Sequence, residues 1–236
     1  MTNPVTFLPG LMCDQRLWQS TWPLLSDAIT PKHIQFALSP NIQSMASDVD
    51  QHLALAPHQS KQAIDLVGFS MGGYVALHYA LNYPGKVKRL VIIAASAWGL
   101  TDEEQKQRLH IINYIKKNNY SGIAKQRIAQ FVHPSHINDP VVDVIRDMDK
   151  SLGKETLVAQ MQANTDRPSL AEQLNQLDIP VLIIGAVADQ LVSKRDLQLM
   201  ADKIPNGQLE LLDHTGHMIP LEAPQQLAEQ LNQFLV

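Results

Sequence analysis

The residue most suggestive of chemistry is a serine between two glycines, in the segment LVGFSMGGYVAL (Leu66–Leu77). Gly68 and Gly72 complete a G-x-S-x-G pattern, which follows an apolar run and precedes a helical one. A sharp turn from strand to helix strains the backbone at the serine and projects its hydroxyl outward. Residues two positions away must then lack a Cβ atom, because the strand and the helix approach closely. The pattern predicts a nucleophile at Ser70; the competing interpretation is a glycine-rich turn with an incidental serine.

A serine hydroxyl needs a base and a group that orients this base. For a serine on such a turn, the expected chain order is serine, acid, histidine. Asp189 follows the apolar run PVLIIG, and His217 follows the run LELL. Because the carboxyl ends of parallel strands meet at one edge of a sheet, we predict a triad of Ser70, Asp189 and His217. The rival base is His214, and the rival acid, Asp213, adjoins the histidine segment instead of following a separate strand.

Each member of this triad has a defined chemical role. His217 would take the proton of Ser70 and later return one to the leaving group. Asp189 would fix the tautomer of the histidine and stabilise its charged form. The tetrahedral oxyanion needs two donors, which are usually backbone N–H groups. Met71, directly after the serine, supplies one of them, and the loop after the first strand is expected to supply the other.

The elements that must position these residues follow from the alternation of short apolar runs with longer helical patterns. The predicted strands are Val5–Leu8, Ile34–Leu38, Ile64–Phe69, Leu90–Ala94, Val181–Gly185 and Leu209–Leu212. The predicted helices between them are Gln15–Ser26, Ser44–Leu55, Met71–Asn82, Lys194–Lys203 and Pro224–Phe234. Several strands are apolar on successive residues, as strands covered on both faces are. The order predicts an α/β fold with a mostly parallel sheet flanked by helices.

One region breaks this alternation, because no strand is predicted from about Gly99 to Leu174. Thr101 and Glu104 form a capping box that opens a helix, and further helical patterns cover Ser121–Val132, Pro140–Leu152 and Lys154–Asn164. We predict a core of residues 1–98 and 175–236, with residues 99–174 as a helical cap inserted after the fourth strand. A cap beyond the carboxyl ends of the strands would shape a pocket. The alternative is that these helices only cover a face of the sheet.

The composition argues against several classes of partner. The 236 residues are 45% hydrophobic and 18% charged, with a net charge of -4 and a pI of about 6.1. This balance disfavours nucleic acid and anionic membranes as partners, and no apolar run approaches the length of a membrane span. Cys13 is the only cysteine, so no intramolecular disulfide can form. The histidines lack a metal-binding spacing. We expect a cytoplasmic protein without a metal site.

Four segments, in this order, resemble the α/β-hydrolase superfamily, and within it the small cap-bearing esterases and proline-iminopeptidase-like hydrolases. They are FLPGLMCDQRLW, GFSMGG, PVLIIGAVADQLVS and DHTGHMIPLEAP, so the resemblance covers essentially the whole chain. It implies an α/β-hydrolase fold and favours His217 as the base, because Gly216 precedes it. It also implies that the second oxyanion donor is the N–H of Leu11, the residue after Gly10. The chain departs from the family's commoner His-Gly pair here by carrying Pro9 before Gly10.

The expected substrate is a small to medium apolar carboxylic ester, hydrolysed by a serine esterase without a cofactor. This follows from the largely apolar residues expected near the triad, although each could equally serve core packing. The predicted pocket residues are Met12, Trp98, Leu191, Val192, Met218 and Ile219. The only predicted partner is the small-molecule substrate, and the oligomeric state stays open.

Three other functions remain open. GFSMGG also resembles the elbow of the lyase in menaquinone biosynthesis, which would make the protein a lyase or a hydrolase of carbon–carbon bonds. Tyr74 weighs against this, because that family has an arginine at this place. A proline-iminopeptidase-like enzyme would need acidic groups in the cap for the substrate's amine, and the candidates are Asp143, Asp147 and Asp149. A ligand-binding sensor on the same fold would make no catalytic use of the triad.

Overall fold

A single parallel sheet forms the centre of the molecule. The computed structural model describes residues 2–36, 38–55 and 63–236. Six strands pair in the order β2-β1-β3-β4-β5-β6, and every neighbouring pair is parallel. The strands are β1 (Asn3–Leu8), β2 (Ile29–His33), β3 (Ile64–Phe69), β4 (Val87–Ile93), β5 (Val181–Ala186) and β6 (Gly207–Leu212). Strands β3 and β5 are buried at every position, as expected for strands covered on both faces.

Helices cover both faces of this sheet, and each face has its own buried apolar cluster. The first cluster includes α1 (Ile42–Ala54), α2 (Met71–Asn82) and α6 (Lys194–Lys203). The second includes α7 (Ile219–Glu222), α8 (Pro224–Leu235) and the short 3-10 helix Gln15–Trp18. The predicted bounds of α2 and α6 agree with the structure. The architecture therefore confirms the predicted α/β fold.

The predicted helical insertion lies between β4 and β5. It contains α3 (Asp102–Lys117), α4 (Lys125–Phe131) and α5 (Val141–Ala163). The capping box of Thr101 and Glu104 is present at the start of α3. Two helices were expected around Gly153, and the structure has one element that breaks at this residue, where φ is 75°. Ile128 and Met148 of the insertion are fully buried in the cluster of the second face, so the insertion and the core share apolar packing.

The prediction of a strand at Ile34–Leu38 is wrong. The structure instead forms β2 just before it, at the edge of the sheet, where it pairs only with β1. An edge strand tolerates Pro31 because only one side of it needs ladder hydrogen bonds. Ile34 and Phe36 are buried in the first apolar cluster, which explains why the segment has the apolar pattern of a strand. Ala37, also within this prediction, lies outside the described residues.

The predicted helix Gln15–Ser26 is also wrong in kind, because the structure has two 3-10 helices, Gln15–Trp18 and Trp22–Leu24. Pro23 lies in the second one, and a proline cannot donate the backbone hydrogen bond that a continuous α-helix would need there. Asp14 caps the first of them by accepting a hydrogen bond from the N–H of Arg16. Among the described residues, no helix has the length and apolar character to cross a membrane.

Candidate active site

The backbone at Ser70 is strained in the way that the glycine pattern predicts. Ser70 joins β3 to α2 with φ 51° and ψ -116°, a region that side-chain-bearing residues rarely adopt. A Cβ atom at Gly68 would lie 2.4 Å from the carbonyl oxygen of Gly72, and one at Gly72 would lie 2.5 Å from the carbonyl oxygens of Leu8 and Pro9. Only glycine therefore lets the strand, the helix and the loop after β1 approach so closely around the serine.

The side chains of Ser70, His217 and Asp189 form a continuous hydrogen-bonded chain. His217 Nε2 lies 3.0 Å from Ser70 Oγ, and His217 Nδ1 lies 2.8 Å from Asp189 Oδ2. A carboxylate can only accept, so Nδ1 of a neutral His217 carries the proton and donates it to Asp189. Nε2 is then free to accept the hydroxyl proton of Ser70. The arrangement has the geometry of a nucleophile with its general base and an orienting acid.

Asp189 is held in place by the loop that follows β5. Its Oδ1 accepts hydrogen bonds from the N–H groups of Leu191 at 2.7 Å and Val192 at 3.2 Å, which leaves Oδ2 for His217. The Asp189 side chain has no exposed surface, so its bond to the histidine is shielded from water. The rival acid Asp213 is exposed.

His217 lies in a buried aromatic environment that fixes its ring. Only 5% of its side chain is exposed. Its ring centre lies 5.2 Å from that of Phe69, the residue before the serine, and 6.2 Å from that of Phe131 in the insertion. The rival base His214 is exposed and has a left-handed backbone, with φ 53°. The structure therefore brings His217, and not His214, to the serine.

Glu222 organises the segment on both sides of His217. Its side chain is fully buried. One oxygen, Oε1, accepts from the N–H of Met218 at 3.0 Å, and the other, Oε2, accepts from the N–H of Gly216 at 3.1 Å. Oε2 also accepts from the N–H of His133 at 2.6 Å and lies 3.0 Å from Nδ1 of His136 in the insertion. One carboxylate thus connects both neighbours of the histidine to the insertion.

The loop after β1 borders the nucleophile. A Cβ atom at Gly10 would lie 3.3 Å from the Cβ of Ser70. Among the described residues, no acceptor is found for the backbone N–H of Leu11 or of Met71, the first residue of α2. These are the two predicted oxyanion donors, and both stay proposals. The next residue, Met12, donates its N–H to Oε1 of the buried Gln160 at 2.9 Å, which fixes this loop against the insertion.

The six predicted pocket residues divide into buried and accessible ones. Ile219 is fully buried and Met218 nearly so, both in the second apolar cluster. Both residues pack in the core, and the assignment of Met218 and Ile219 to the pocket stays a prediction. Met12 and Val192 are buried, Trp98 is half-buried, and Leu191 is 39% exposed. A cavity of about 290 Å³ lies elsewhere: it contains no triad residue and is lined by residues that include Ile42, His78, Gln162 and Arg167.

Three arginines of the insertion and the segment after it, Arg108, Arg127 and Arg167, have pKa values lowered mainly by burial, and none of them was foreseen from the sequence. Burial and the charge of Arg127 lower the pKa of Arg108. Burial and the charge of Arg108 lower the pKa of Arg167 to about 10. The guanidinium of Arg127 lies 4.7 Å above the Phe131 ring, and that of Arg167 lies 4.8 Å above the Tyr74 ring.

Two further features were missed or only partly seen. Glu222 stood in the family-like segment DHTGHMIPLEAP but had no assigned role, and a polar residue in an otherwise apolar run was the available signal. The arginines lie far apart in sequence and form no charge run, so no local signal was present. Cys13 is 4% exposed, and its thiol pKa is raised to about 12 by burial and by Asp14.

Comparisons with known proteins identify the family of this chain. Residues 35–224 match the protein family described as serine aminopeptidase, S33. Monoacylglycerol lipase ABHD6 of Bos taurus is 29% identical over 189 residues, 75% of this chain. The pyrrolizixenacetamide deacetylase of Xenorhabdus hominickii is 25% identical over 176 residues, which are 73% of this chain and 65% of the deacetylase. The chain spans only 56% of the length of the bovine lipase that it matches.

Solved structures share the fold across the whole chain. A malate-bound thermophilic esterase from Thermogutta terrifontis has a TM-score of 0.87 at 24% identity, covering 100% of this chain and 90% of the esterase. The enol-lactonase from Burkholderia xenovorans LB400 also has a TM-score of 0.87, at 17% identity, and covers 100% of this chain and 92% of the lactonase. At these identities the similarity establishes the fold alone.

Proposed function

The chain belongs to the serine aminopeptidase S33 family of the α/β-hydrolase superfamily, and on this premise we propose that it is a serine hydrolase of small to medium carboxylic esters. One observation carries the proposal: Ser70, on a strained strand-to-helix turn, is hydrogen-bonded to His217, which is hydrogen-bonded to the buried Asp189. An oriented base next to a partly accessible serine is the arrangement that acyl transfer needs. The lipase and the deacetylase among its relatives support this reaction class.

Catalysis would proceed in two steps through an acyl-enzyme. Ser70 Oγ forms a bond to the carbonyl carbon while its proton passes to His217 Nε2. The resulting oxyanion accepts hydrogen bonds from the N–H groups of Met71 and Leu11. The tetrahedral intermediate collapses when the C–O bond to the alcohol breaks and His217 gives its proton to the leaving oxygen. A water molecule, deprotonated by His217, then attacks the acyl-enzyme, and the acid leaves as Ser70 regains its proton. Asp189 stabilises the charged imidazole in both steps.

The geometry disfavours the aminopeptidase alternative. Two of the three carboxylates suggested as partners of a substrate amine are already engaged: Asp143 pairs with Arg146, and the buried Asp149 accepts hydrogen bonds from the Tyr120 hydroxyl and the Ile123 N–H. Asp147 lies exposed on α5. We therefore place ester hydrolysis ahead of aminopeptidase activity.

The proposal is tested by hydrolysis of a p-nitrophenyl ester series, from acetate to decanoate. We expect turnover by the parent with an optimum at a short or medium chain, and a loss of kcat of at least about 10⁴-fold in Ser70→Ala. His217→Gln should behave like Ser70→Ala, whereas His214→Gln, an exposed histidine three residues away, should keep parental activity. Asp189→Asn should lose about 10⁴-fold in kcat, and Asp213→Asn should lose none.

Labelling by a fluorophosphonate gives a second readout that does not depend on the choice of ester. The parent should be labelled at Ser70, and the label should require His217, because phosphonylation uses the same activated hydroxyl. Equal ester hydrolysis by the parent and Ser70→Ala would refute the proposal. An absence of both labelling and hydrolysis in the parent would favour the ligand-binding alternative.

A further inference from the structure

The loop after β1 makes a tight turn beside the nucleophile. The carbonyl of Gly10 accepts a hydrogen bond from the N–H of Cys13 at 3.2 Å, so Leu11 and Met12 are the central residues of a β-turn. The C=O and N–H groups of a trans peptide point in opposite directions. Because the carbonyl of Gly10 points into the turn, the N–H of Leu11, which belongs to the same peptide, points out of it.

This turn holds one residue in a conformation that its side chain disfavours. Met12 has φ 55°, in the left-handed region that residues other than glycine rarely adopt. A turn with positive φ at its third position normally has glycine or asparagine there, because a larger side chain strains the backbone. The turn therefore needs contacts from outside to keep its shape.

One of these contacts comes from the insertion. Gln160, on α5, is 1% exposed, and its Oε1 accepts a hydrogen bond from the N–H of Met12 at 2.9 Å. This N–H belongs to the central peptide of the turn, so the bond opposes the rotation by which Met12 would reach a negative φ. Of the N–H groups of Leu11, Met12 and Cys13, only that of Leu11 then has no acceptor within the described part of the chain.

The other end of the Gln160 amide shows that this residue adds little net stability. Its Nε2 is buried and has no hydrogen-bond partner in the described ranges of the chain. A buried unpaired donor is costly, and the net gain from one neutral hydrogen bond is modest. An apolar side chain of the same length would avoid the cost. The main consequence of the contact is therefore the shape of the turn.

We propose that Gln160 is a positioning residue for the oxyanion hole, which holds the turn so that the N–H of Leu11 faces the oxyanion formed at Ser70. This inference rests on the proposed ester hydrolysis and adds a residue of the inserted helices to it. Within the described residues, the Gln160 side chain makes no hydrogen bond to the triad, so it acts through the turn. Removal of one oxyanion donor lowers kcat by about 10²- to 10³-fold, which sets the upper limit for its displacement.

The test substitution is Gln160→Met, which keeps the length of the side chain and removes the acceptor. We expect kcat for p-nitrophenyl esters to fall by about 10- to 10³-fold, with a change in KM of less than about threefold. The melting temperature should stay close to that of the parent, because the unpaired Nε2 is removed together with the bond to Met12. Gln162→Met, at an exposed position on the same helix, is the matched control and should keep the parental kcat.

An exchange of oxygen for sulfur in the substrate reports on the oxyanion donors themselves. Sulfur is a weaker hydrogen-bond acceptor than oxygen, so a formed oxyanion hole favours an ester over its thionoester. The ratio of kcat/KM for phenyl acetate to that for O-phenyl thioacetate should fall by about tenfold or more in Gln160→Met. A residue that only stabilised the insertion would lower both values by the same factor.

Hydrogen exchange separates this inference from the proposed function, because it needs no substrate. The amide of Met12 should exchange at least about tenfold faster in Gln160→Met than in the parent, since its hydrogen bond is lost. Unchanged exchange at Met12, or a parental kcat and ester-to-thionoester ratio in Gln160→Met, would overturn the inference even where hydrolysis depends on Ser70. Hydrolysis that is absent from the parent, or equal in the parent and Ser70→Ala, would overturn the esterase proposal and the oxyanion role together.

Discussion

Glu222 provides a sharp test of how the catalytic histidine is positioned. Its carboxylate accepts hydrogen bonds from the backbone of Gly216 and Met218, the two neighbours of His217. Among the described residues, it makes no hydrogen bond to Ser70, Asp189 or the His217 ring, so we expect any effect on catalysis to act through the position of the histidine. The substitution Glu222→Gln keeps the size of the side chain and one acceptor oxygen. It replaces the other oxygen with an NH₂ group, which can only donate.

The magnitude follows from counting the donors that lose their acceptor. In its better orientation, the glutamine oxygen takes the place of Oε2, which serves Gly216 and the insertion, and the NH₂ group then faces the N–H of Met218. A buried donor without an acceptor costs about 1–3 kcal/mol. If the segment shifts to relieve this, His217 moves relative to Ser70. At about 1.4 kcal/mol for each factor of ten, we expect kcat to fall roughly 5- to 150-fold.

The assay combines steady-state kinetics with the rate of fluorophosphonate labelling. A mispositioned base lowers kcat and the labelling rate together, because both need proton transfer from Ser70, whereas KM stays nearly constant. The matched control is Glu210→Gln, an exposed glutamate on β6 that should change neither quantity. If Glu222→Gln lowered the melting temperature but left kcat and the labelling rate at parental values, the carboxylate would only stabilise the fold and our reasoning would be wrong.

Two further predictions concern groups away from the triad. Asp65→Asn should lower the free energy of unfolding in denaturant by about 3–5 kcal/mol, because it leaves Arg89 without its buried bidentate partner; an unchanged unfolding midpoint would contradict this. Cys13 should resist iodoacetamide in the folded protein at pH 8 and react once unfolded, since its thiol pKa rises from 9.0 to about 12. The thiol of the unfolded chain ionises near pH 9.0, whereas that of the folded protein stays protonated up to about pH 12. The contribution of the protonated thiol to the free energy of unfolding is therefore complete below pH 9 and is lost as the pH rises toward 12. Alkylation of Cys13 in the folded protein at pH 8 would refute the raised pKa.

The sheet and the three triad side chains were predictable because their signals are local. Buried parallel strands are continuous apolar runs, and the glycines around Ser70 mark a turn whose backbone has few alternatives. Once the strands are placed, parallel topology brings the loops with Asp189 and His217 to the edge where Ser70 lies. The edge strand β2 was not predicted because it lacks a continuous apolar run. It is half exposed and contains Pro31, so its sequence has no run that distinguishes it from the buried loop beside it.

Residues whose partners are distant in the sequence had no such local signal. Glu222 is buried because it meets backbone N–H groups of His133 and Gly216, and only tertiary packing brings these donors together. Arg108 lies on α3 and Arg167 lies in the segment after α5, 59 positions further along the chain, and nothing in their local sequence separates them from surface arginines. The pairing of Arg89 on β4 with Asp65 on β3 shows the same limit, because the two residues are 24 positions apart and only the pairing of their strands brings them together.

The contacts of the insertion argue that it helps to position the catalytic groups. Its residue Gln160 holds the N–H of Met12 and thereby the loop of the proposed oxyanion donor Leu11. Phe131 packs beside the His217 ring. The backbone of His133 approaches Gly216 so closely that a Cβ atom at Gly216 would lie 2.5 Å from the His133 nitrogen. The base and the oxyanion loop are thus both braced by the same inserted helices. Loosening these helices should therefore lower kcat along with substrate affinity, because the distance between histidine and serine depends on packing that the core alone does not supply.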